Sequence, residues 1–105
     1  MSKHFYHFRF DPEIPIADLE DILMLALVAL NSLYGLTRLR LDCRLILDRK
    51  RRHLLIDGTT RVGYHLALIL AGVADYLLDN DEFRVGRIDV TQAEVTMAFR
   101  SGEPS

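Results

Sequence analysis

Tryptophan is missing from this 105-residue chain, and cysteine occurs once, at Cys43. A lone thiol cannot close an internal disulfide or build a cysteine-rich zinc site, and such usage suits a reducing compartment. The 3 prolines and 6 glycines are too few for collagen-like or low-complexity sequence. Neither sign of charge dominates: 13 Lys+Arg stand against 15 Asp+Glu, a formal net charge of −2. That balance argues against a uniformly basic binder of nucleic acid or membrane surface. The longest unbroken apolar run, Ile22 to Leu30, is far short of the roughly 18 to 20 residues that span a bilayer. No membrane span is expected, the opening Met1-Ser2-Lys3-His4 does not read as a signal peptide, and the expected location is cytoplasmic. The Gly-x-x-x-x-Gly-Lys pattern of a nucleotide-binding loop is also lacking.

What the chain does have is apolar residues, which make up 50% of it. Their spacing predicts one α+β domain over residues 1–100, with a flexible tail at 101–105. His4 to Phe10 alternates, Tyr6, Phe8 and Phe10 against Phe5, His7 and Arg9, as a strand does. After the break at Asp11-Pro12-Glu13-Ile14-Pro15, a helix is expected from about Ile16 to Tyr34. Its core stripe is Leu19, Ile22, Leu23, Ala26, Leu27, Leu30, Leu33 and Tyr34, and Gly35 should end it as a left-handed cap. Leu39, Leu41, Cys43, Leu45 and Leu47 then alternate with polar residues and predict a second strand. Asp48 to Arg52 reads as a hairpin turn into a third strand, His53 to Asp57. A second helix follows Gly58-Thr59-Thr60, with Val62, Leu66, Ile69, Leu70, Val73 and Leu77 along its core face. Phe83 to Val90 is a fourth strand, and Val95, Met97 and Phe99 leave room for a fifth.

The order βαββαβ is that of a ferredoxin-like split βαβ fold, an antiparallel sheet in the order 4-1-3-2 with two helices on one face. Many unrelated activities share that arrangement, so function must come from surfaces.

Both helices are too apolar for a two-layer fold with one wet face. Met24, Leu25 and Val28 lie behind the core stripe of the first helix, and Tyr64, Leu68 and Ala71 behind that of the second. Scattered exposed apolar residues are ordinary. Here two adjacent helices share the excess, which predicts a covered surface, most simply a homodimer and otherwise a protein partner.

Charge is segregated. Between residues 38 and 61 eight Lys/Arg stand against three Asp, a local +5 that leaves −7 for the rest. The cations Arg38, Arg40, Arg44, Arg49, Lys50, Arg51 and Arg52, with Thr59, Thr60 and Arg61 at a helix start, are the candidate contacts for an anion or nucleic acid. In the expected fold Arg38, Arg40 and Arg44 share the open sheet face with Phe5, His7 and Arg9. The resemblance to an RNA-recognition domain stops at topology, because Leu55 stands where a base-stacking aromatic would be. Acidic residues at Asp11, Glu13, Asp79, Asp81 and Glu82 are expected at the hairpin end, where they can neutralise it.

Catalytic signals are weak. His4 and His7 fall on opposite faces of a strand, His65 sits beside an apolar stripe, and Cys43 points to the core as a small hydrophobe. No catalytic residue, cofactor or metal site is expected. The sequence therefore points to a non-enzymatic interaction or assembly module, with a small nucleic-acid-binding or regulatory protein using residues 38–52 as the second reading.

Overall fold

The structure is a computed structural model that describes residues 2–91. It has an α+β fold of three helices and a four-stranded antiparallel sheet. In chain order the elements are β1 (Ser2–Phe10), α1 (Ile16–Tyr34), α2 (Leu36–Asp42), β2 (Leu45–Asp48), β3 (His53–Asp57), α3 (Arg61–Leu77) and β4 (Phe83–Thr91). The sheet runs β2-β3-β1-β4. The expected fifth strand at Val95 to Phe99 and the tail at 101–105 lie outside the described residues.

Alternation in β1 sets the two faces of the sheet. Phe8 pairs with Leu54 and Val85, and Phe10 with Phe83, while Tyr6 opposes Ile56. Phe8, Phe10, Leu54 and Ile56 are buried in one core with Leu19, Ile22, Ala26 and Leu30 of α1 and Val62, Leu66, Leu70 and Ala74 of α3. Both long helices therefore cover the same face. Two residues expected in that core are out of it: Leu33 is 67% exposed and Leu77 51%. Each occupies the last turn of its helix.

The predicted second strand is half helix. Leu36 to Asp42 forms α2, and β2 keeps only Leu45 to Asp48. Leucine and arginine are good helix formers, and the segment's only β-branched residue is Thr37. Arg38 Nε lies 3.0 Å from Asp42 Oδ2, one turn on. Leu39 and Cys43, also one turn apart, pack on the core, whereas Leu41 is exposed. A strict two-residue alternation would have put Leu41 beside them.

Gly35 separates α1 from α2, and the axes bend by 111° there. Its amide donates to Asn31 O at 2.8 Å, as expected of a helix end. Its backbone, φ 84 and ψ 159, lies in a region open essentially to glycine alone. Among the described residues no single helix is long and apolar enough to cross a membrane.

Candidate interaction surfaces

The backs of α1 and α3 carry the exposed apolar side chains the periodicity predicts. Met24 is 60% exposed, with Leu25 and Val28 beside it on α1, and Leu68 is 52% exposed with Tyr64 one turn earlier on α3. Ala71 is half-buried against the core and adds less. Leu33, Leu36, Leu41, Tyr76 and Leu77 are also exposed, a contribution that sequence reasoning missed. Leu41 escapes because its alternation with Arg40 and Asp42 reads as a strand; the signal for a helix there is the Arg38–Asp42 pair one turn apart.

The basic set is divided among several elements. Arg38 and Arg40 sit on α2, not on a strand, and Arg44 precedes β2. Arg38 and Arg40 therefore do not share the sheet face with Phe5, His7 and Arg9, whereas the Asp57 amide donates to Arg44 O and sets Arg44 across from Asp57 in line with Phe5. Arg38 also reaches over the Tyr34 ring, its guanidinium carbon 5.8 Å from the ring centre. In the hairpin, Arg49 pairs with Glu20 of α1 at 3.3 Å, and Arg52 donates to the carbonyls of Ile14 (3.0 Å) and Arg49. Backbone bonds from Phe10 to Arg52 O and from Asp11 to Glu82 O gather the hairpin and the acidic segments at one end. Among the described residues the carboxylate that reaches the hairpin from another element is nevertheless Glu20.

The turn at 57–61 is capped from within. Thr60 Oγ1 accepts the Gly63 amide at 3.0 Å and donates to Asp42 O at 2.7 Å. Asp57 Oδ1 accepts the Thr59 amide at 2.9 Å, and the Gly58 amide donates to His4 O. These groups hold the start of α3 against β1 and α2, which leaves Arg61 as the exposed cation of the turn.

On the sheet face away from the helices, pairing sets Arg84 of β4, Arg9 of β1, His53 of β3 and Asp48 of β2 in one row. The next row is Gly86, His7, Leu55 and Ile46. The His7 and His53 rings meet edge to face, centres 4.8 Å apart. Burial first, then the neighbouring His53 and Arg9, hold the His7 imidazole below its usual pKa. Phe5 belongs to this face but is only 5% exposed. His4 lies on the opposite face, against Tyr6.

His65 and Tyr34 stack and share a hydrogen bond between the hydroxyl and Nδ1, tying α3 to α1. This histidine is a structural link. Cys43 is half-buried against the core, and burial raises its thiol pKa. A thiol so placed is a poor nucleophile. Among the described residues no three His, Cys, Asp or Glu side chains gather as a metal site would need.

Comparison with known protein families, curated proteins and solved structures finds no match to this chain.

Proposed function

We propose that the chain is a non-enzymatic, cytoplasmic assembly module of ferredoxin-like βαββαβ arrangement that pairs with a second copy through the backs of α1 and α3. The sheet order, 4-1-3-2 when read from β4, supports that arrangement, with α2 as an addition between α1 and β2. One observation carries the functional reading: Met24, Leu25 and Val28 on α1 and Tyr64 and Leu68 on α3 expose large apolar surface on two helices that lie on the same side of the sheet. Burying a large aliphatic side chain contributes roughly 1.5 to 3 kcal/mol before the entropy of association is subtracted. Twofold pairing is the simplest way for one chain to cover such a patch.

Sedimentation equilibrium at micromolar concentration tests it. A dimer is expected, and Met24→Glu with Leu68→Glu should convert it to a monomer that keeps its helical circular dichroism. A soluble monomer from the unsubstituted chain removes the reading.

A second reading, nucleic-acid binding through residues 38–52, draws on Arg40, Arg44 and Lys50, whose side chains make no ion pair among the described residues. It requires salt-dependent binding of single-stranded oligonucleotides, and absence of binding at low salt eliminates it.

A further inference from the structure

The sheet face away from the helices holds cations that the fold does not neutralise. Arg9 lies directly across from Arg84 on one side and from His53 on the other. Like charges opposed across strands are destabilising. Elsewhere the described arginines often have partners: Arg38 has Asp42, Arg49 has Glu20 and Arg87 has Asp89. Arg9 and Arg84 have no ion pair among the described residues.

The two carboxylates of that face are engaged elsewhere. Asp48 ends the row beyond His53, but its Oδ1 accepts the amides of Lys50 and Arg51, and its Oδ2 lies 3.8 Å from Arg51. Asp57 is buried, and its Oδ1 is taken by the Thr59 amide. Two arginines thus oppose each other across β1 and β4, with the nearest acid among the described residues turned into the hairpin. Beside it run half-buried Leu55 and exposed Ile46, and exposed Ile88 lies beyond on β4. A Cβ on Gly86, which opposes His7, would meet nothing within 4 Å, so there is open space directly above that position.

We propose that this face is the docking surface for an acidic, partly apolar segment of a partner protein. Carboxylates of the segment pair with Arg84, Arg9 and His53, and its apolar side chains lie on Leu55, Ile46 and Ile88. Charge complementarity selects an acidic occupant. The apolar flank, together with a buried Phe5 that offers no ring for stacking, selects a protein segment over single-stranded nucleic acid. The surface is separate from the helix backs, so the proposal does not depend on self-association.

His7, set in the middle of this face, makes docking sensitive to pH. Facing His7 among the described residues are Arg9 on its own strand, His53 on β3, and Gly86 and Arg84 on β4, with Asp48 and Asp57 the carboxylates of the face. An acidic segment favours protonated imidazole, so binding tightens as pH falls from 7.5 to 5.5.

The test is fluorescence anisotropy of the full chain with a fluorescein-labelled 12-residue peptide of Glu and Asp interrupted by two Leu. A 12-nucleotide oligodeoxythymidine is run in parallel. Saturable peptide binding is expected, weakened at least tenfold by Arg9→Glu. Arg9→Glu sets a carboxylate between Arg84 and His53, so its melting temperature should rise by about 1 to 5 °C as binding is lost. His7→Gln should reduce the gain at pH 5.5. The proposal is overturned by no peptide binding, by binding indifferent to Arg9→Glu, or by an oligonucleotide that binds the same residues more tightly than the peptide.

Discussion

Gly63 is the residue at which α3 comes closest to the end of β3: a Cβ there would overlap the Asp57 carbonyl. Backbone cannot step aside as a side chain can. Gly63→Ala should therefore cost about 1 to 3 kcal/mol in urea unfolding, although alanine is the better helix former. Thr60 secures the same junction by capping α3 and bonding Asp42 O. Thr60→Ala should cost about 1 to 2 kcal/mol. His7 adds a pH dependence whose sign follows from its depressed pKa. Above pH of about 6.5 both folded and unfolded chains hold it neutral. Below that the unfolded chain takes the proton first, so stability falls until the folded His7 also protonates. Melting temperature should drop less between pH 7 and pH 5 in His7→Gln than in the unsubstituted chain.

At the scale of elements, the stretch from Leu36 to Leu47 shows what a hydrophobic pattern can and cannot decide. Leucines at 39, 41, 45 and 47 satisfy a period of two, yet Leu39 and Cys43 also satisfy a period of four, and the chain follows the second until Asp42. Glycine ends α1 where expected, but it does so with an extended ψ that launches another helix at 111° in place of a strand. That backbone geometry has no signature in residue type. Gly35→Ala should cost at least 1 kcal/mol, because the positive φ strains any Cβ even though open space surrounds it. β3 is legible because a short polar turn precedes its apolar run, and β1 and the two long helices because their patterns fit only one period over many residues. The helix backs were legible for the same reason. The facing arginines on the sheet were not, since Arg9 and Arg84 meet only through the register of two strands separated by a long stretch of chain.

For the molecule as a whole, the near-neutral charge conceals two unlike surfaces on opposite sides of one sheet, apolar where the helices lie and cationic where they do not. The segregation seen along the sequence is real, but its centre moves: cations between residues 38 and 52 partly pair with α1, α2 and the hairpin itself, while Arg9 and Arg84, outside that segment, remain unpaired among the described residues. Salt should separate the two surfaces. Self-association through Met24, Val28 and Leu68 should persist at 1 M sodium chloride, where screening shortens to about 3 Å, whereas acidic-peptide binding should vanish. Sedimentation and anisotropy at both ionic strengths check this.

Both long helices lie on a single side of the sheet. Two copies joined through those helices would turn the opposite faces of their sheets outward, away from each other. On the proposed pairing and docking, the dimer would be a bivalent reader, able to hold two acidic segments at once but only when their tether is long enough to pass around four layers of protein. Within that geometry a second segment on the same partner is captured at an effective concentration set by the tether, and avidity rises without any new contact.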